Sequence, residues 1–268
     1  MTILSDSDYI KDQYNDSSKF DARVLLYELF ATNKQPWLIW LFDCLRLNPG
    51  ESVLELGAGT GNVWRQNRNR IPDGVRITLS DFFPGMLEEA RRRLGEGAPR
   101  FQYKSIDAQE IPFHDESFEV VLASHMLYHV PDRANALSEA KRVMQLGGRL
   151  YVGTNDWTHL QELRELVARF EVHSAILPPG RHPEFFDLEN AGKELSEHFA
   201  HLDLHRYRDT LKITEVAPLL DYIRSDMSNE DAVDNDAIAA LGKYAQRQIN
   251  LLGSIYVGVS VGVFEAIK

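Results

Sequence analysis

Apolar and polar positions along the chain predict two helices first, and then short strands separated by helices. Residues 22–30 and 36–46 carry apolar side chains at helical spacing, and Asn48-Pro49-Gly50 predicts a turn after them. Short apolar runs, typical of buried strands, then alternate with amphipathic stretches. The predicted strands are 51–56 (ESVLEL), 75–80 (VRITLS), 101–105 (FQYKS), 118–124 (FEVVLAS) and 149–154 (RLYVGT).

The segments between these strands predict helices. A short helix follows the first strand. Another begins near Pro84, because proline is favoured in a first helical turn. A third covers 133–146 and is predicted to stop at Gly147-Gly148. Strands that alternate with helices indicate right-handed crossovers and a mainly parallel sheet, so we expect a doubly wound α/β domain.

The pattern is looser in the second half of the chain. We expect a helix at 157–171 and an irregular cap or insertion near 172–195, where prolines and glycines cluster. A strand is predicted at 203–213, followed by two helical stretches and a final strand at 254–267.

Length and charge limit the classes of function. The 268 residues suffice for one large domain with a small cap. The formal net charge of −11 disfavours binding to nucleic acid or to anionic membranes, and favours neutral or cationic ligands. The basic runs at 65–70 and 90–94 are interpreted as solvated helix faces, since acidic residues precede the second at helical spacing.

Cysteine content and hydropathy point to the cytoplasm. Cys44 is the only cysteine, which excludes an intrachain disulfide, and its apolar surroundings predict an inert thiol. The first residues are polar and acidic and show no secretion signal. The longest apolar stretch, LLGSIYVGVSVGVF, is too short and too rich in glycine to cross a membrane. We therefore expect a cytoplasmic protein without membrane partners.

A glycine-rich turn predicts a nucleotide-type site. In VLELGAGTG (53–61), glycine allows tight turning and close approach of a ligand to the backbone. Asp81 ends the second strand, where it could bind a ribose diol, and Asp107 follows the third. A dinucleotide fold needs a small residue where Asn62 stands, and a second mononucleotide half that is not found. S-adenosylmethionine is the competing cofactor.

Five segments follow one another in order along the chain: VLELGAGTGN, ITLSDFFPGML, SIDAQEIPF, SFEVVLASHMLYHVPD and LGGRLYVGT. Together they resemble the motifs of class I S-adenosylmethionine-dependent methyltransferases, and most closely the ubiquinone-biosynthesis-type branch that methylates small molecules. The resemblance implies a Rossmann-like seven-stranded sheet that ends in an antiparallel hairpin, with helices on both faces. It also implies an N-terminal helical lid at 1–46 and a methyltransferase domain at 47–268.

The resemblance also implies which residues bind the cofactor. The residues for the methionine part are Glu55, Gly57, Ala58, Gly59 and Gly61, and the residue for the ribose is Asp81. The residues for the adenine are Phe82, Met86, Asp107 and Ala108. Ser124, with His125 beside it, borders the transferable methyl.

Residues that could contact the methyl acceptor come from the lid, the loop after the fourth strand and the end of the fifth. His125 and Tyr14 are the candidate catalytic residues, because a general base assists methylation of a hydroxyl or a protonated amine. The candidate substrate-binding residues are Phe20, Trp37, Tyr128 and Asn155. His129 precedes a turn and is interpreted as structural. The pair His125 and His129 lacks a third ligand, so no metal site is expected.

We therefore expect an enzyme that methylates O or N, with C as a further possibility, of a small-molecule acceptor such as an amine-bearing or peptide-derived compound. The alternatives are a catalytically silent cofactor-binding regulator, a methyltransferase acting on RNA, and a nicotinamide-dependent oxidoreductase, which Asn62 disfavours. The sequence leaves the oligomeric state open.

Overall fold

The computed structural model describes most of the chain. The described residues are Lys11, Gln13, Tyr14, 17–95, 100–172, Leu177, 185–225 and 235–268. Tyr9, within the predicted lid, lies outside these described residues, and so do residues 173–176 and 178–184 of the predicted cap near 172–195. The described end of that cap is helical from Leu188 onward and not irregular as expected.

Seven strands form a single sheet in the order β3-β2-β1-β4-β5-β7-β6. The first five are parallel to one another, and β7 runs antiparallel to β5. This confirms the Rossmann-like seven-stranded architecture. The strands are β1 Ser52–Leu56, β2 Arg76–Asp81, β3 Phe101–Ser105, β4 Phe118–Ser124, β5 Met144–Asn155, β6 His201–Ile213 and β7 Ile255–Ile267.

Helices precede the sheet and connect its strands. None of those that the structure describes is both long enough and apolar enough to cross a membrane. The helices are α1 Ser18–Phe30, α2 Trp37–Leu45, α3 Asn62–Gln66, α4 Pro84–Leu94, α5 Arg133–Val143, α6 Gln161–Arg169, α7 Leu188–His198, α8 Val216–Ser225 and α9 Asn235–Leu252.

The end of α5 differs from the prediction. We expected the helix to continue to residue 146 and to stop at Gly147-Gly148, but it ends at Val143 and β5 begins at Met144. Met144 pairs with Phe118 of β4, and a register shift follows on β4. Both glycines lie within the strand, where their backbone groups bond to Lys268. Strand pairing with β4 therefore outweighs the helical spacing of the apolar residues.

The sheet carries a hydrophobic core on each face. Successive residues of a strand point to opposite faces, so Val53 and Leu54 belong to different cores. One core packs α2, α3 and α4 on the sheet, and the other packs α5 and α7 on it. Each core contains fully buried aliphatic side chains, such as Leu41 in the first and Leu137 in the second, together with aromatic ones. The carboxyl ends of β1, β2 and β4 are thereby held at one edge of a rigid sheet.

The chain divides into two compact units. Unit 1 comprises the described residues within Met1–Lys34, Trp157–Pro183 and Arg208–Ser260. Unit 2 comprises those within Gln35–Asp156, Glu184–Tyr207 and Val261–Lys268. Helix α1 belongs to unit 1, where it packs on α8, and α2 belongs to unit 2 with most of the sheet.

Candidate functional site

The turn after β1 has a backbone that requires glycine. Gly57, Gly59 and Gly61 all have positive φ angles, of 66°, 54° and 73°. The Ala58 N–H donates to the Ser80 carbonyl of β2 at 2.8 Å, which ties the turn to the neighbouring strand. Residues with a Cβ adopt this left-handed conformation only at a cost in free energy. The turn therefore leaves a backbone surface at the carboxyl edge that a ligand can approach closely.

Gly57 has a second constraint, which the sequence alone does not reveal. A Cβ built on Gly57 would lie 2.6 Å from the Cβ of Met126, in the loop after β4. Met126 thus packs directly on the glycine turn. Because this contact joins two distant segments, no local pattern predicts it.

Asp81 connects the glycine turn to the loop after β2. Its two carboxylate oxygens accept from the Gly59 N–H and the Phe83 N–H, each at 2.9 Å. The side chain is buried, with 8% of the residue exposed, and this burial raises the pKa of Asp81 against the effect of the backbone N–H groups. Asp81, the residue predicted to bind the ribose, therefore lies at the end of β2, against the glycine turn.

Glu55 lies on β1, two residues before Gly57. One carboxylate oxygen accepts from the indole N–H of Trp64 at 2.5 Å. Burial, together with the nearby Asp81, raises the pKa of Glu55 to about 8, and the Trp64 N–H acts in the opposite direction. Trp64 was not among the residues selected from the sequence. The sequence could have indicated Trp64, because a buried indole N–H needs a hydrogen-bond acceptor.

The buried carboxyl of Glu55 predicts a pH-dependent stability. The folded-state pKa of Glu55 exceeds the ordinary value of 4.5, so the folded protein binds this proton more tightly than the unfolded chain does. The resulting contribution to the unfolding free energy is fully present below about pH 4.5 and is lost as the pH rises to about 8. We therefore expect Glu55→Gln to raise the unfolding free energy of the ligand-free protein by about 2 kcal/mol at pH 8, and by less at pH 5.5. Thermal unfolding at both pH values measures this. The exposed Glu88→Gln is the control, and an equal change at both pH values would contradict the prediction.

The predicted adenine-binding residues differ in exposure. Phe82 has 59% of its surface exposed and meets the Phe83 ring edge-on, with ring centres 5.2 Å apart. Met86 and Ala108 are buried, with 1% and 6% exposed. The Asp107 carboxylate accepts from the backbone and side-chain N–H groups of Gln109, as in a turn cap. Phe82 therefore offers the most accessible surface for a base.

His125 begins the loop after β4 in a left-handed conformation, with φ of 55°. Its backbone N–H donates to the Gly153 carbonyl of β5 at 2.9 Å. The hydroxyl of the preceding Ser124 also lies against Gly153, only 2.8 Å from where a Cβ would stand. Burial of the imidazole lowers the pKa of His125 to about 4. At neutral pH the ring is therefore uncharged and can accept a hydrogen bond.

The Trp37 ring contacts His125 within unit 2, and two further aromatic rings pack on Trp37. The edge-to-face contact of Trp37 with the imidazole has a centroid distance of 5.4 Å. Trp40 stacks on Trp37 at 5.3 Å, and Tyr207 of β6 lies 5.4 Å from both indoles. The sequence predicted Trp37 here but missed Trp40, which its i, i+3 spacing could have indicated. Tyr207 has no local signal, because its partners are distant in sequence.

The remaining predicted residues belong to both units. Tyr14 and Phe20 belong to unit 1, where the Arg23 guanidinium lies over the Tyr14 ring at 5.8 Å. Tyr128 contacts the His129 ring, with centroids 4.5 Å apart, and Asn155 ends β5. No group of three or more His, Cys, Asp or Glu side chains suited to a metal occurs in the described ranges.

Comparison with known proteins identifies similar sequences. Residues 54–152 match a family model described as a methyltransferase domain. The demethylmenaquinone methyltransferase of Beutenbergia cavernae is 34% identical over 187 residues, which cover 66% of this chain and 74% of that protein. The ubiquinone/menaquinone biosynthesis C-methyltransferase UbiE of Vibrio parahaemolyticus is 31% identical over 144 residues, covering 53% and 55%. The chain spans about half the length of most of the curated relatives it matches.

The fold is also similar to solved structures. A methyltransferase candidate from Bacillus halodurans C-125 superposes with a TM-score of 0.61 at 22% identity, covering 87% of this chain and 98% of that one. At this identity the likeness supports the fold, while the relatives named above support the family.

Proposed function

We propose, because this chain belongs to the class I S-adenosylmethionine-dependent methyltransferases, that it transfers a methyl group from that cofactor to O or N of a small molecule. The relatives and the fold support the methyltransferase class and its cofactor. That the methyl group goes to an oxygen or a nitrogen atom is our own proposal.

The observation that carries the proposal is the link between Asp81 and the glycine turn. Asp81 accepts from Gly59, so a carboxylate, a turn without Cβ atoms and the exposed Phe82 ring meet at one sheet edge. These groups suit a ribose diol, a close-lying amino-acid part and an adenine respectively. The donor and acceptor groups present therefore fit S-adenosylmethionine.

Three of the predicted cofactor residues have a specific proposed task. Asp81 accepts from the ribose hydroxyls, Phe82 contacts the adenine, and Glu55 accepts from the amino group of the methionine part. When bound, the cofactor supplies a methyl group that its sulfonium already activates. The protein then has to align the acceptor and exclude water, and alignment of this kind is worth roughly 7–11 kcal/mol of barrier.

His125 is the proposed acceptor-positioning residue. Its neutral imidazole accepts a hydrogen bond from an acceptor hydroxyl or amine, and Trp37 contacts the ring edge-to-face. Tyr14 remains a candidate catalytic residue from unit 1, and Phe20, Tyr128 and Asn155 remain candidates for acceptor contacts.

Replacing His125 by alanine is expected to lower turnover by about 100-fold, because a positioned proton acceptor contributes on that scale. Affinity for S-adenosylhomocysteine should change by less than about 3-fold. Alanine and histidine both carry a Cβ, so the substitution leaves the strain of the left-handed backbone at position 125 as it was. Turnover is measured by mass spectrometry on the best acceptor from a panel of phenols and amines. His129→Ala is the matched control. Equal losses of turnover and affinity in the His125 variant would make it a scaffold residue.

Carbon is the second candidate methyl acceptor. One named relative is a C-methyltransferase of ubiquinone/menaquinone biosynthesis, and the other is a demethylmenaquinone methyltransferase. The aromatic cluster of Trp37, Trp40 and Tyr207 offers ring surfaces for a planar acceptor. Fragmentation spectra of the methylated product distinguish methylation at carbon from methylation at oxygen.

Calorimetric titration of the full chain tests the cofactor. We expect S-adenosylmethionine and S-adenosylhomocysteine to bind and NAD(H) not to bind. Binding of NAD(H) without either sulfur nucleoside would overturn the proposed function in favour of an oxidoreductase. Binding of the sulfur nucleosides without turnover on any acceptor would favour a regulatory protein.

A further inference from the structure

Trp64 lies fully buried beside the proposed cofactor site. It belongs to α3, which begins directly after Gly61, the last glycine of the turn. Its indole N–H donates to one carboxylate oxygen of Glu55 at 2.5 Å. The short α3 thereby links the glycine turn to the acidic residue on β1.

The other carboxylate oxygen of Glu55 has no protein donor within the described part of the chain. It is also not fully shielded, because the Tyr103 hydroxyl is the only completely buried side-chain polar atom without a partner in those same ranges. Only 3% of Glu55 is exposed. One oxygen is thus held by the protein, and the other is left for a donor from a ligand.

Packing prevents the Trp64 indole from turning away. The Phe42 ring of α2 meets it edge-on, with ring centres 6.1 Å apart, and the surrounding side chains include Leu41 and Val63. Because the indole has no alternative space, the direction of its N–H is fixed. The carboxyl plane of Glu55 is then fixed as well, since a hydrogen bond depends on direction.

We propose that Trp64 is a positioning residue for cofactor binding. Its N–H holds the Glu55 carboxylate so that the second oxygen accepts from the ammonium group of the methionine part of the cofactor. This inference rests on the proposed function and adds to it the group that orients the acid. Replacing Trp64 is therefore expected to weaken the binding of ligands that contain the amino-acid part and to leave the affinity of ligands without it unchanged.

The test compares S-adenosylhomocysteine with 5′-methylthioadenosine, which lacks the amino-acid part. Trp64→Phe keeps an aromatic ring and removes the N–H together with one ring of the indole, so a packing control is needed beside it. We expect this variant to bind S-adenosylhomocysteine about 10-fold more weakly, on the scale of one hydrogen bond to a charged group, and 5′-methylthioadenosine unchanged. Affinities are measured by calorimetry on the full chain.

Two further variants separate positioning from packing. Phe42→Leu loosens the ring packing but keeps the N–H, so the ratio of the two affinities should stay as in the unaltered protein. In the Glu55→Gln background, Trp64→Phe should add less than about 2-fold, because the two residues act as one unit.

The outcomes are distinct. A 10-fold loss confined to S-adenosylhomocysteine supports the positioning role. Equal loss of both ligands, or no loss of either, overturns it while leaving the proposed function intact. Failure of the unaltered protein to bind either ligand overturns the proposed function, and this inference with it.

Discussion

Replacing Gly57 by alanine is expected to abolish binding of S-adenosylhomocysteine and to lower the unfolding free energy by about 3–4 kcal/mol. Two effects add. The backbone at Gly57 has a φ of 66°, which a residue with a Cβ adopts at a cost, and the new Cβ would lie 2.6 Å from the Met126 Cβ. The Met126 Cβ is bonded to its backbone and cannot swing away, so the turn itself has to shift.

A matched glycine separates these two effects. Gly50 also has a positive φ, of 83°, but nothing lies within 4 Å of its would-be Cβ. Gly50→Ala should therefore lose only the conformational part, about 1 kcal/mol, and retain cofactor binding. Chemical denaturation and calorimetric titration measure both quantities. If the two variants were equally stable, the contact with Met126 would have no energetic weight.

Asp81→Asn is expected to weaken binding of S-adenosylhomocysteine by about 100-fold. The carboxylate accepts from Gly59 and from Phe83, one N–H for each oxygen. An asparagine offers a single oxygen, so its amide NH₂ faces one of these donors. The variant therefore loses a bond within the turn as well as an acceptor for the ribose.

The exposed Asp73→Asn removes the same charge away from the site and should leave the affinity unchanged. Equilibrium titration of both variants gives the comparison. An Asp81→Asn protein that binds within about 3-fold of the unaltered chain would contradict the role proposed for this carboxylate.

The sequence predicted the fold well where local pattern and packing agree. The runs that became β3 and β4 match the predicted bounds, because short apolar segments between turns have few alternatives. The helix before β5 was predicted too long, since Met144 has helical spacing but pairs with Phe118 in the sheet. Local spacing cannot reveal that preference, because strand pairing is a long-range interaction.

The candidate site was predictable in its backbone and less so in its side-chain contacts. The glycines and Asp81 follow from motif order, since their task is set by the turn itself. The hydrogen-bond partner of Glu55 could not be predicted in this way, because Trp64 reaches Glu55 only through the packing of α3 against Phe42. Tyr207 likewise joins Trp37 only once β6 is in place.

The pairing of β5 with β7 bears on how short this chain can be made. Residues 149–155 of β5 are registered with the last strand, whereas the family match stops at residue 152. A fragment limited to the matched region would leave β5 as an open edge of largely buried residues. Unpaired strand edges of this kind are templates for aggregation. The minimal folding unit therefore includes Val261–Ile267, more than a hundred residues beyond the matched region.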